Sequence, residues 1–268
     1  MAIYGLNDRD PAIKFLQRAL NEKLKLKLSC DGHLGKITQA AIGKYQNTLG
    51  IVEKDADGFC YGEKTQSALL PFIEKKYLTE NDFVQAAKLL NVELGVVKAI
   101  TEVEAKEFGF LPDGHPVILF ERHKFYQFLA KRKGAVFAKT MAVSYGDICN
   151  PEAGGYEGGA EEVKRLTKAS TIDQTCAMLS TSYGLFQLMG FNHKACGYDI
   201  VNDFVDAMKR SEREQMLAFV NLVKSDNGLH AAMKKKDWAE VAKRFNGAAY
   251  AKNKYDAKLA AAYTSFKG

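Results

Sequence analysis

No apolar run in this sequence approaches the roughly 18 residues needed to cross a bilayer, so an integral membrane protein is not expected. Its start, MAIYGLNDRDP, lacks the basic stretch followed by an apolar one that marks a secretory leader, and nothing there directs export by the usual route. Cysteine is sparse and scattered: Cys30, Cys60, Cys149, Cys176 and Cys196 are odd in number and lack metal-ligand spacing. That usage fits a chain made in a reducing cytoplasm, with free, mostly buried thiols. The HExxH pattern is missing, and His115, His123, His193 and His230 form no recognisable metal set, so no metal and no cofactor is expected. The glycine-rich stretch 144–162 also lacks the Gly-x4-Gly-Lys-Ser/Thr signature of a phosphate loop.

What is present suffices for a real core: 47% of the 268 residues are hydrophobic, enough for one large domain or for a small one joined to a medium one. Against 32 Asp and Glu stand 38 Lys and Arg, a balance of +6 that favours an anionic partner without naming it. Nucleic acid, lipid headgroups and cell-wall polymers all satisfy that charge.

Residues 1–75 carry a short internal repeat. Asp31, Gly32, Gly35 and Thr38 recur as Asp57, Gly58, Gly62 and Thr65, and each set leads into an apolar helical pattern. Asp-Gly makes a tight turn, the second glycine tolerates positive φ, and threonine caps or opens the helix behind it. On these residues alone the segment reads as a compact module of short helices with two Asp-Gly turns. Residues 71–82, PFIEKKYLTEND, break the pattern and are expected to link 1–75 to a second domain, 76–268; Thr79 followed by Asp82 marks a helix start.

The stretch 97–122, VKAITEVEAKEFGFLPDGHPVILFER, places carboxylates on an otherwise apolar helix. At 3.6 residues per turn, Val97, Ile100, Glu104 and Phe108 share one stripe, while Lys98, Glu102 and Lys106 share another. Glu102 is expected to be a solvated partner of both lysines. Glu104, among apolar neighbours, would have its charged form disfavoured by desolvation, which suits a general acid. The same spacing also fits a carboxyl at the stripe's edge that reaches solvent. Farther on, Pro112, Asp113 and Gly114 turn the chain into an apolar run, after which Glu121, Arg122 and His123 arrive together, either lining a cleft or pairing Glu121 with Arg122. Residues 144–162 are expected as a mobile loop or short hairpin bordering that cleft. In STSYGLFQLMGFNHKACGY, Tyr183, Gly184 and Gln187 supply aromatic and amide groups of the sort that hold sugar rings; a helix start with a buried aromatic fits the same composition. The remainder reads as helices, interrupted at Asn246 and Gly247, with Tyr250, Asn253 and Tyr255 close behind.

Through Leu16, Gln17, Leu20, Asp31, Gly32, Gly35, Thr38, Ala41, Tyr45, Gln46, Gly50, Asp57, Gly58, Gly62, Thr65 and Leu69, the first segment resembles the small three-helix peptidoglycan-binding domains at the ends of cell-wall hydrolases. From about Leu78 onward, EVEAKEFGFLPDGHPVILFERHKFY, GGYEGGAEEVKRL, TSYGLFQLMGFNHKACGY and RFNGAAYAKNKYDAKLAAAY resemble the N-acetylmuramidase domain of modular phage endolysins. Their order is also similar to goose-type lysozymes and soluble lytic transglycosylases. The fold implied is all-α with minor β, a three-helix binding domain joined to a larger lysozyme-like catalytic one. In the wider pattern the acid is the glutamate directly before a small residue, here Glu104 before Ala105, where serine is usual; Tyr183 stands where tryptophan is common.

The resemblance implies cleavage of the β-1,4 bond between N-acetylmuramic acid and N-acetylglucosamine. Glu104 would donate the proton and Glu121 would act as supporting acid, with Glu107, Asp113 and Asp147 as alternatives. His123, Tyr183, Gln187, Asn246, Tyr250 and Tyr255 would contact substrate. A lytic transglycosylase of the same bond specificity and a non-catalytic wall-binding or tail-associated protein are the other readings. The partner implied is bacterial peptidoglycan rather than nucleic acid. The molecule is expected to be a monomer without stable membrane insertion, kept in the host cytoplasm until a holin releases it to the wall.

Overall fold

A computed structural model describes residues 3–73, 76–105, 108–111, 114–247, 251 and 253–266. In chain order the elements are α1 (Pro11–Leu24), α2 (Lys36–Leu49), β1 (Lys54–Asp55), β2 (Gly58–Phe59), α3 (Glu63–Ile73), α4 (Glu80–Leu90), α5 (Leu94–Glu104), β3 (Ile118–Phe120), α6 (Arg122–Lys133), α7 (Ala135–Ser144), α8 (Gly159–Leu179), β4 (Thr181–Tyr183), β5 (Leu188–Met189), α9 (Val201–Arg210), α10 (Glu212–Ser225), α11 (Asn227–Lys235), α12 (Trp238–Asn246) and α13 (Tyr255–Ser265). The fold is mainly helical with short strands. It divides into two compact units, Met1–Glu104 with Gly228–Gly268, and Ala105–Asn227.

In the first unit α1 starts where the sequence marks it: Asp10 accepts from the Ala12 N–H at 2.7 Å, and Pro11 takes the first helical position, where its missing N–H costs nothing. Thr79 and Asp82 form the expected capping box on α4. α3 continues through Pro71 to Ile73 rather than stopping before it. The first compact unit continues past residue 75: the Phe15 ring lies 6.3 Å from that of Phe83, and Lys98 is paired with Asp10.

The internal repeat serves a purpose that its spacing conceals. The Gln17 amide donates to the Thr38 hydroxyl at 3.1 Å and to the His33 carbonyl at 3.0 Å, and its oxygen accepts from the Gly32 N–H at 3.0 Å. One repeat later Gln46 donates to the Thr65 hydroxyl and the Cys60 carbonyl, both at 2.9 Å, and accepts from the Glu53 N–H at 2.8 Å. Thr38 and Thr65 therefore tie each Asp-Gly turn to the preceding helix instead of capping. α2 is preceded by Gly35, and the start of α3 is capped by Glu53, which accepts from the N–H groups of Lys64 at 2.7 Å and Thr65 at 2.6 Å. Positive φ belongs to the first glycine of each repeat, Gly32 at 73° and Gly58 at 127°, not to the second. At Gly62 the constraint is space, because a Cβ there would stand 2.7 Å from the Glu53 carboxylate. Thr65→Val is expected to leave Gln46 and Glu53 short of a buried partner and to cost about 1–3 kcal/mol, read as a shift in the denaturant midpoint.

The charged stripe of α5 also differs from the solvated ladder expected of it. Lys98 is 6% exposed and is held by Asp10 and, at 2.9 Å, by Glu80. Glu102 pairs instead with Lys14 at 2.8 Å, and Lys106 lies outside the described residues. A buried ammonium requires close carboxylates, and partners from α4 and the approach to α1 outcompete a neighbour one turn away. Behind α5, a Cβ at Gly95 would stand 3.3 Å from the Tyr263 ring and from the Phe266 carbonyl, so α13 packs with its end against the start of α5 and runs antiparallel to it.

The second unit is built around a three-stranded antiparallel sheet in the order β3-β4-β5, with Ile118 opposite Tyr183 and Ser182 opposite Met189. Phe120, Phe125, Leu129, Ala138, Ile148, Cys149, Ala169, Cys176 and Ala177 form the core between the sheet and α6, α7 and α8. STSYGLFQLMG is thus a tight hairpin, not a helix start. The thiols are free: Cys60, Cys149, Cys176 and Cys196 are buried and Cys30 is half-buried. Burial pushes Cys149 up to about 11 and Cys176 to about 12, which leaves them unreactive packing groups.

Candidate active site

Glu104 is the last residue of α5 and is half-buried. Val97 and Ile100, which share its stripe, are wholly buried, and Ala105 behind it is nearly so. The antiparallel packing of α13 on α5 brings the start of α13, Tyr255, to the same end of the unit as Glu104. Tyr255 is half-buried, with the Lys258 ammonium 5.3 Å from its ring centre. Glu107, Asp113, Tyr250 and the side chain of Asn246 lie outside the described residues.

In the second unit the end of β3 delivers Glu121 to the start of α6, where its N–H donates to the Ser180 carbonyl at 2.9 Å. Its carboxylate accepts from the Tyr156 hydroxyl at 2.8 Å, and His123 Nδ1 lies 3.1 Å from the same Oε2, close but outside hydrogen-bond geometry. Burial and the bond to Glu121 push the Tyr156 phenol above its usual value. Arg122 does not pair with Glu121. Its guanidinium reaches the carbonyls of Glu152 at 3.0 Å, Ala153 at 3.2 Å and Gly146 at 3.3 Å, where a planar fork satisfies several oxygens at once. The glycine-rich segment lies against this clamp: a Cβ at Gly155 would stand 3.0 Å from the guanidinium, and φ there is 73°.

Glu162 holds the other end of that segment. Wholly buried, it accepts from the N–H groups of Glu157 at 2.7 Å, Phe120 at 3.0 Å and Gly158 at 3.2 Å, and from Arg165 at 2.8 Å. Arg165 also reaches the Asp147 carbonyl at 2.9 Å and the Phe120 carbonyl at 3.3 Å. The loop that carries Tyr156 is therefore pinned at both ends and forms no hairpin. Asp147 is tied to Lys168 at 2.7 Å; burial raises its carboxyl, but the lysine and further hydrogen bonds outweigh that and hold it below the ordinary range.

One of the expected sugar contacts, Tyr183, is scaffold instead, whereas another, Gln187, is exposed. Tyr183 is 1% exposed, sits edge-on to Phe204 at 5.8 Å and donates to the Met178 carbonyl at 3.4 Å, because its place in the middle strand turns the ring inward. Gln187, at φ 48°, accepts from Ser182 at 2.9 Å and donates to the carbonyls of Gly184 at 2.8 Å and Val117 at 3.3 Å, so its amide closes the hairpin. Of the repeat residues, Asp31 accepts from Gln17 at 3.0 Å, and Thr38 and Thr65 are buried. Sequence reasoning missed Tyr156, Glu162 and Arg165. The signal available was the spacing of Glu162 and Arg165, three residues apart at the start of a helix that follows paired glycines.

The family model described as N-acetylmuramidase matches residues 93–267. The crystal structure of the Burkholderia AP3 phage endolysin is 43% identical to this chain, with 99% of each chain covered and a TM-score of 0.70. No curated relative matches the sequence. The matched segment holds Glu104, Glu121 and the loop bearing Tyr156, and it spans more than half of the chain: the protein belongs to the N-acetylmuramidase family.

Proposed function

We propose that this protein is a phage endolysin that cleaves the β-1,4 bond between N-acetylmuramic acid and N-acetylglucosamine, with Glu104 giving its proton to the leaving oxygen. Membership of the muramidase family and likeness to a phage endolysin over the whole chain make it a peptidoglycan-degrading glycoside hydrolase. The observation that supports Glu104 is its place at the last turn of α5, half-buried on the stripe of the wholly buried Val97 and Ile100. Glu121 serves as the supporting carboxylate, its charge shared with Tyr156. Tyr156→Phe is expected to lower kcat roughly three- to tenfold, the weight of one hydrogen bond to a working carboxylate, with melting unchanged. Steady-state rates on purified sacculi read that effect.

Mass spectrometry of released muropeptides tests the reaction itself. Reducing N-acetylmuramic ends are expected, since hydrolysis delivers water to the anomeric carbon. Anhydro ends would replace the reading by a lytic transglycosylase, in which the sugar's own hydroxyl attacks. That alternative draws on one feature: Asp147 and Glu121 both have fixed partners, Lys168 and Tyr156.

Residues 1–75, with three helices and duplicated turns, are the wall-holding part, and 76–268 the catalytic part. Retention of full-length Glu104→Gln on sacculi, weakened by changes on the exposed side of the Asp57 turn, measures that contribution. The molecule acts as a monomer, released to the wall through a holin lesion. Among the described residues no helix is long and apolar enough to cross a membrane, and no group of His, Cys, Asp and Glu is arranged to hold a metal.

A further inference from the structure

Helix α7, AVFAKTMAVS, has a single charged residue, Lys139, yet only Ala138 is buried. A helix this apolar ordinarily lies inside a protein. Here Phe137, Met141 and Ala142 pack partly against the core, while Val136 is 80% exposed and Val143 is 89% exposed. Seven residues apart, the two valines stand on one face, with Lys139 and Thr140 between them. Immediately before this helix the last turn of α6 carries Lys131, Arg132 and Lys133, all exposed, and Gly134 turns the chain at φ 94°. Arg132 and Lys133 share Asp173, at 3.2 and 3.4 Å, so cations outnumber the acid beside them. The corner is an outward apolar ridge with a basic border.

We propose that this corner docks the enzyme reversibly on an anionic phospholipid surface. Val136 and Val143 enter the boundary between headgroups and acyl chains, and Lys131, Arg132, Lys133 and Lys139 meet the lipid phosphates. Ten residues are too few to span a bilayer, and exposed side chains on one face suit a helix lying in the interface plane. Charge selects this occupant. A second copy docked on the same face would bring like-charged borders together, and a glycan strand would attract the lysines but give two largely exposed valines nothing to bury against. The docking stands apart from the bond that is cleaved and holds whether the product is reducing or anhydro.

Flotation of the full-length protein with vesicles of phosphatidylcholine alone, and of phosphatidylcholine mixed with phosphatidylglycerol, tests it. Binding is expected on the mixed vesicles only. The double variant Val136→Asp/Val143→Asp is expected to fall to the level seen on phosphatidylcholine, and Lys131→Gln/Lys139→Gln to weaken binding about fivefold per charge removed. Both variants should hydrolyse purified sacculi at the wild-type rate and melt as wild type does. Equal binding to both vesicle types overturns the proposal, as does wild-type affinity in the lysine pair, which needs no change to the apolar ridge. A monomer–dimer equilibrium abolished by the valine variant would assign the ridge to a second copy, and loss of sacculus binding in that variant would assign it to the wall; either result also overturns lipid docking.

Discussion

Glu104→Gln is expected to lower peptidoglycan turnover about 10²–10⁴-fold, the usual weight of a general acid, while the protein folds and melts as before. Glutamine keeps the shape and the hydrogen-bonding oxygen of the side chain but has no acidic proton for the leaving group. The residue ends α5 and is only half-buried, so the substitution empties no cavity. Loss of activity with an unchanged melting curve would therefore report on chemistry rather than packing. Release of reducing sugar from sacculi, with circular dichroism as the fold control, makes the measurement. Activity within tenfold of wild type would mean that the proton comes from another group, and Glu121→Gln would then be the next variant to measure.

Glu162→Ala is expected to carry the largest stability cost, about 3–5 kcal/mol, because it leaves the buried Arg165 without its carboxylate and three backbone N–H groups without an acceptor. A loss of that size should lower Tm by about 10 °C or more. The loop held by Glu157 and Gly158 would be released with it, so Tyr156 would no longer be delivered to Glu121, and kcat should fall as well. The acidity of the group gives a second signature. Burial by itself raises the Glu162 carboxyl, but the N–H groups of Glu157, Phe120 and Gly158 and the Arg165 charge outweigh it and hold the folded value below the ordinary one. Its stabilising contribution is then fully present above the unfolded value of about 4.3 and is lost as pH falls from there through the lower folded value. Asp147 and Asp173 are shifted in the same direction and add to the same acid limb. Denaturant midpoints taken from neutral to acidic pH should show a steeper loss in wild type than in Glu162→Gln. Parallel curves would show that the carboxylate is not the linked group.

Local information set much of the first unit. The 3.6-residue period located α5 and put Glu104 on its apolar stripe, the Asp-Gly pairs located the turns, and Thr79 with Asp82 marked the start of α4, because each depends on residues within a turn or two of one another. The likeness to the muramidase family was legible in other short motifs, in the stretches EVEAKEFGF, TSYGLFQLMG and RFNGAAY. Tertiary structure decided who pairs with whom. Lys98 has glutamate one turn away but takes Asp10 and Glu80, since a buried charge is governed by the dielectric around it rather than by its sequence neighbours. Arg122 passes over the adjacent Glu121 for three loop carbonyls 24 to 31 residues away, because the fork geometry of guanidinium rewards several oxygens at once. Tyr183 could face either way on a strand, and only the pairing of β4 between β3 and β5 turned it inward. Spacing alone also left Thr38 and Thr65 looking like caps. Their role in closing the Gln17 and Gln46 networks became visible only when the turn and the preceding helix met, since a hydrogen bond across 19 or 21 residues leaves no periodic trace.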